Sequence, residues 1–298
     1  MFERIAGLRE GGERMRKHTY AYAAGVVLLA ALAGCGAAQA GPGSQGPAPG
    51  AATSPASSAV TAAAPSTTAP SATTPSAATP ASWAWCSSAT LGQQTTPDSR
   101  FDLYNNKWNT AYNPGPQTIC GNSESDWQVT SNQRAGNTGV LTYPSVQLNY
   151  NGGNGYALSR FSSMTSSWAE QMPSVPGLDA EAAYDIWLNG LHKEVMVWVD
   201  NHGQTPAGSK EATYSISGAT WDLYVTGDSS YLAFVREGNA TSGSVDLFAM
   251  LKELEDHGLL PSSATLWQVN FGWEICSTGG KPASFSVTNY SLTSTPSS

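Results

Sequence analysis

Charge is scarce in this chain: Asp, Glu, Lys and Arg make up 12% of its 298 residues, and histidine occurs four times. Residues 1–34 hold five of the 14 basic side chains (Arg4, Arg9, Arg14, Arg16, Lys17) and three of the 22 acidic ones, so residues 35–298 are strongly acidic in balance. That excludes nucleic acid and an anionic membrane surface as partners, and leaves a neutral polymer open. From Gly36 to Ser82 no charged or aromatic residue occurs. A stretch built almost wholly of Ala, Ser, Thr, Pro and Gly cannot bury a core, so it is a tether, with a reach on the order of 100 Å. His192, His202 and His257 neither cluster with cysteine nor show ligand spacing. No metal site and no cofactor is expected.

The longest apolar run near the start, from about Tyr20 to Leu32, is too short to span a bilayer comfortably and comes after Arg14, Arg16 and Lys17. That order is the pattern of an export signal. It ends in "LAGC" (Leu32 to Cys35), which resembles the lipobox of bacterial lipoproteins, in which the cysteine becomes the lipidated first residue. An ordinary secretory signal cut after Ala40 is the alternative. Met15 would make a more conventional start than Met1. The expected organisation is a signal peptide at 1–34, a linker at 35–82, a folded domain at 83–294 and a short tail at 295–298. A lipidated Cys35 would leave the protein at the cell surface, its contact with the membrane limited to that anchor.

At Trp83 the composition changes. All ten tryptophans lie from there on, and little reads as helix. Short runs rich in Val, Thr, Tyr and Trp, such as "GVLTYPSVQLNY", "EVMVWVD" and "LWQVNFGWEIC", alternate with Gly, Asn, Pro and Ser. This is an all-β pattern, and its length suits a two-sheet sandwich or jelly roll. One segment, 242–258, sets Val245, Phe248, Met250, Leu251 and Leu254 at helical spacing, with a serine to cap it and Gly258 to stop it. A single short helix on the back of a sheet is expected. Cys86 and Cys120 flank the first predicted strand pair and are the expected disulfide, with Cys276 outside it; a pairing through Cys276 is the alternative.

Three strands carry an acid on an otherwise apolar framework. In "EVMVWVD", Val195, Val197 and Val199 share one face, and Glu194, Met196, Trp198 and Asp200 the other. In "WQVNFGWEIC", Asn270, Gly272, Glu274 and Cys276 alternate with apolar residues; in "AAYDIWLNG", Asp185 and Trp187 oppose Tyr184 and Ile186. A lone mid-strand carboxylate is usually solvated or guards an edge. Three of them, each near a tryptophan, suggest a shared cleft. Two carboxyl groups across a groove, one protonated and one ionised, are what glycoside hydrolysis requires, aromatic faces would stack on sugar rings, and Asn106 and Asn270 could fix hydroxyls.

From Cys86 to about Thr293 the chain resembles glycoside hydrolase family 12. The resemblance rests on "NNKW" (105–108), "YPSV" (143–146), "AYDIWL" (183–188), "EVMVW" (194–198), "TPAG" (205–208) and "FGWEICSTGG" (271–280), in the family's order. It implies a β-jelly roll and retaining endo-β-1,4-glucanase activity on cellulose, mixed-linkage glucan or xyloglucan. It makes Glu194 the nucleophile, Glu274 the acid/base and Asp185 the group that hydrogen-bonds and orients the nucleophile. Trp108 matches a stacking platform, with Asn106, Met196 and Trp198 as groove neighbours. Asp200, Cys276 and the short loop "LNGLHK" depart from the family pattern beside the cleft. The implied partner is a β-glucan met by a monomer. A glucan-binding sandwich without activity and a xylanase on the related jelly roll are the alternatives.

Overall fold

A computed structural model describes residues 82–297. The strands in chain order are β1 (Trp85–Ser87), β2 (Gln93–Thr95), β3 (Asp102–Tyr104), β4 (Gln117–Ser123), β5 (Asp126–Ser131), β6 (Ser145–Asn149), β7 (Tyr156–Ala157) and β8 (Phe161–Gln171). Next come β9 (Leu178–Leu188), β10 (Lys193–His202), β11 (Ser209–Ile216), β12 (Ala219–Val225), β13 (Tyr231–Arg236), β14 (Ser242–Asp246), the helix α1 (Leu247–Asp256), β15 (Thr265–Thr278) and β16 (Ala283–Pro296).

They form two sheets, in the order β1-β4-β5-β16-β8-β14 and β11-β12-β13-β10-β9-β15-β6-β3-β2, with β7 added beside β15. Neighbours pair antiparallel except β10 and β13, which run parallel. The sheets pack face to face as a jelly-roll sandwich, and alternation decides which residues meet between them. Tyr184, Ile186, Val195, Val197, Phe271, Trp273 and Ile275 of the larger sheet join Trp127, Val129, Met164, Trp168, Phe285 and Tyr290 of the smaller in one buried core. Trp127 and Trp273 meet with ring centroids 4.9 Å apart, and Tyr184 and Phe271 at 4.8 Å.

The disulfide joins Cys86 to Cys120, directly opposite each other on β1 and β4. Cys276 lies outside it, buried, with its thiol hydrogen-bonded to the Asp179 carboxylate.

Two expectations need correction. The helix starts later than its apolar spacing suggests: residues 242–246 are an edge strand on β8, and the cap is Asp246, whose Oδ1 accepts the Ala249 amide at 2.9 Å. Ser242–Asp246 carries only Val245 inward, so edge pairing outcompetes a first helical turn. Asp200 does not share a face with Glu194 and Trp198. A bulge at Val199 breaks the register, so Trp198 stands opposite Ala183 but Asp200 opposite Ala182, on the core side. The Val199 carbonyl accepts the Ala240 amide at 2.9 Å, a partner outside the regular ladder.

Candidate active site

The hairpin from β9 to β10 fixes the first two acids. Leu188 pairs with Lys193, so Trp187 falls opposite Glu194 and Asp185 opposite Met196. The turn holds Asn189, Gly190 and Leu191 all at positive φ, and Gly190 leaves room for the Trp267 ring, which a Cβ would approach to 3.1 Å. On the other side of β9, Asp185 faces Asn270 of β15, Ala183 faces Gly272, and Glu181 faces Glu274. Glu194, Asp185, Glu181, Asn270 and Glu274 therefore share the face of the larger sheet turned away from the smaller one.

These side chains are buried although they point away from the core: Glu194 is 6% exposed, Asp185 and Glu274 7% each, and Glu181 not at all. The face is a recess. Its floor is a second apolar cluster of Ala183, Met196, Trp198, Tyr231 and Ala233, distinct from the inter-sheet core. Trp198 donates Nε1 to the Met196 sulfur at 3.4 Å and is itself buried, so both are floor and offer no stacking face. Tyr143 closes one side, donating its hydroxyl to the Ala183 carbonyl at 3.0 Å. The turn after β10 closes another. Asn201 and Gln204 bond each other at 2.9 and 3.1 Å, which aims the Gln204 amide at the Glu274 carbonyl, 2.9 Å away. Asn106, at a φ of 35°, accepts the Tyr143 amide through its carbonyl at 2.9 Å, and Trp108, two residues on, is 38% exposed and presents its ring.

The acids perturb one another. Burial pushes Glu194 well above the usual carboxylate range, and the charges of Asp185 and Glu274 add to this. Asp185 is pushed up to about 7, by burial first; the Trp187 indole, donating Nε1 to Oδ2 at 2.8 Å, opposes the rise, the Glu274 charge adds to it, and an Asn270 hydrogen bond opposes it. Glu274 is raised by burial and drawn back by a hydrogen bond from Glu181. Burial and mutual repulsion both oppose ionising all of these carboxyls together.

The recess thus gathers Glu194, Asp185, Glu274, Asn270, Met196 and Trp198 on one face, while Asp200 lies behind it. Asp185 takes its hydrogen bonds from Trp187 and Asn270, and its charge, when present, raises Glu194. Glu181 and Gln204 were not among the expected site residues. Glu181 has the parity of Asp185, two alternation steps earlier, and that was its signal; Gln204 sits in a turn, where periodicity carries none. Among the described residues no group of three or more His, Cys, Asp or Glu is arranged to hold a metal ion.

A jelly roll with paired carboxyls sunk in the outer face of its larger sheet defines a polysaccharide-cleaving class of fold and site. Residues 99–294 match glycosyl hydrolase family 12, and the chain belongs to that family. It is a glycoside hydrolase of the endoglucanase kind, with β-glucan hydrolysis as its class of reaction. The chain is similar to the probable xyloglucan-specific endo-β-1,4-glucanase A of Aspergillus flavus, 28% identical over 215 residues, covering 66% of this chain and 87% of that one. It is also similar in structure to the family 12 xyloglucanase of Bacillus licheniformis (25% identity, TM-score 0.63, 71% of this chain and 100% of that one). The xyloglucanase domain of NopAA from Sinorhizobium fredii, in complex with cellobiose, gives 27% identity and a TM-score of 0.61 over 71% of this chain and 99% of that one.

Proposed function

We propose that the protein is a retaining endo-β-1,4-glucanase working through two glutamates, Glu194 as nucleophile and Glu274 as acid/base, with xyloglucan as the glucan to test first. The observation that carries this reading is the placement of Glu194 and Glu274 on β10 and β15, the two strands flanking β9, buried on one face and each within electrostatic reach of Asp185. A retaining mechanism asks for carboxyls roughly 5 to 5.5 Å apart, one attacking the anomeric carbon and the other protonating the leaving oxygen and then activating water. Asp185, held by Trp187 and Asn270, shares a proton with its neighbours and so lets Glu194 ionise. Trp108 stacks on a sugar ring, with Asn106 beside it. The xyloglucan preference is supported by the names of the relatives in Aspergillus flavus and Bacillus licheniformis.

Azide rescue tests the assignment. Glu274→Ala should still be glycosylated by aryl glycosides whose leaving group needs no proton, and azide should then open the intermediate to a β-glycosyl azide. Glu194→Ala forms no intermediate, so azide should displace fluoride from a β-glycosyl fluoride and give the α-azide. Proton NMR reads the products. Reversed products reverse the roles, and hydrolysis unslowed in both variants removes the site from this recess. Reducing-sugar release from xyloglucan, mixed-linkage glucan, soluble cellulose and xylan ranks the substrates.

Residues 1–81 lie outside the described residues, so export and anchoring rest on the sequence. The proposal is a monomer lipidated at Cys35 and held at the cell surface by its linker. Cys35→Ala should be released or left unprocessed. Wild-type protein found wholly in the medium, starting after Ala40, would overturn the anchor.

A further inference from the structure

Glu181 lies four residues before Asp185 and has no part in the double displacement, yet it is buried as completely as the core. On β9 it stands directly opposite Glu274 of β15 on one side and Asn201 of β10 on the other, all on the recess face. Side chains directly opposite in an antiparallel pair have Cβ atoms about 4.5 to 5.5 Å apart, close enough for two carboxyl groups to meet. The turn above them is closed: Asn201 gives its amide to the Gln204 carbonyl, and Gln204 is bonded to the Glu274 backbone, so water access to the pair is narrow. Two carboxylates cannot both stay charged in such a place, and one proton between them serves as a hydrogen bond.

We infer that Glu181 is a positioning residue for Glu274: protonated in the working enzyme, it donates a hydrogen bond to the Glu274 carboxyl, and the pair together sets the upper pH limit of acid catalysis. This rests on the reading of Glu274 as acid/base. During glycosylation Glu274 gives its proton to the leaving oxygen and becomes a carboxylate, which the Glu181 hydroxyl stabilises. During deglycosylation Glu274 takes a proton from the attacking water and the starting state returns, so the Glu181 proton is never consumed. The hydrogen bond from Glu181 draws Glu274 down against burial. Other titratable groups face the pair: Asp185 and Asp179 on β9, Glu194 on β10, Tyr231 on β13 and Tyr143 before β6; the Asp179 carboxylate is occupied by the Cys276 thiol.

Glu181→Gln replaces a carboxylic donor by a weaker amide donor, and Glu181→Met removes the donor at similar size. Both should move the alkaline limb of kcat/KM upward, Met further than Gln and by about one pH unit, the worth of one such hydrogen bond, with KM little changed. Titration of Glu274 by NMR of carboxyl-labelled glutamate in the intact enzyme should show the same upward movement, and melting curves establish that the variants are folded; should Met fail to fold, Gln decides. An unmoved Glu274 titration makes Glu181 merely structural and overturns the inference. A downward movement shows Glu181 to be a charged neighbour that repels Glu274 and overturns it equally. If Glu274 moves upward but the rate limb stays, the hydrogen bond exists and the acid/base assignment is what fails.

Discussion

The Trp187 indole nitrogen donates to Asp185 Oδ2 at 2.8 Å, and Trp187 itself stands opposite Glu194 on the neighbouring strand. One tryptophan thereby fixes the rotamer of the aspartate next to the proposed nucleophile. Trp187→Phe should lower kcat by about tenfold through loss of one hydrogen bond to a buried carboxyl, and KM should change little. Asp185→Asn should be more severe, because it removes the titrating group and puts an amide donor in place of one carboxyl oxygen. Steady-state kinetics on a soluble β-glucan checks both, and unchanged turnover in folded Asp185→Asn would make that residue a bystander.

Glu170 of β8 reaches across the sandwich to accept the Trp273 indole N–H at 3.0 Å, one residue from Glu274, with Asp200 beside it. Burial first, with the Asp200 charge and hydrogen bond adding, pushes its carboxyl up to about 8, while the Trp273 bond opposes this. The folded state therefore keeps a proton that the unfolded chain releases near the ordinary glutamate value. Glu170's contribution to stability should fall as pH rises from about 5 to about 8 and level off above, on top of what the raised acids of the recess contribute. Glu170→Gln cannot ionise and should flatten that slope, as thermal melts across the range would show; parallel slopes in both proteins would reject the idea.

The Gln204 amide ties the turn after β10 to the Glu274 backbone. Gln204→Ala should lower kcat on the order of tenfold, the cost of one buried hydrogen bond expressed at the acid/base carboxyl, with a melting temperature shifted by only a few degrees. Equal losses in kcat and melting temperature across a set of Gln204 variants would mean the tie is structural alone.

The Cys86–Cys120 bond closes a loop with a sequence separation of 34, which corresponds to about 3 to 4 kcal/mol of restricted unfolded-state entropy. A Cys86→Ser, Cys120→Ser protein should be less stable by that amount and keep its turnover, because the bridge lies within the smaller sheet and the acids of the recess on the larger one. Loss of turnover in the folded double variant would contradict this.

The sandwich and most of the recess are legible in the sequence because a strict two-residue period runs through Glu194 to Trp198 and through Ala183 to Trp187, and apolar partners of opposite parity mark the core. Asp200 escapes that period because one extra residue in a strand leaves no trace in composition. Glu181 escapes it because β9 begins at Leu178, before the apolar run by which the strand is recognised. The first helical turn is overread because a valine at 245 fits a strand edge as well as a helix face. Gln204 depends on where a turn lands against a strand about seventy residues later, and no local pattern encodes that.

The bulge at Val199 has a bearing on how such chains diverge. Because Val199 is surplus to the ladder, a chain lacking that residue would set Asp200 directly after Trp198, still opposite Ala182, and the remainder of β10 would keep its sides. The bulge lets β10 gain or lose that one residue while Asp200 stays beside Glu170 in the core and Asn201 stays opposite Glu181 on the recess face. Homologous chains of different length at this point must therefore be compared by the side each residue faces and not by its place in a column.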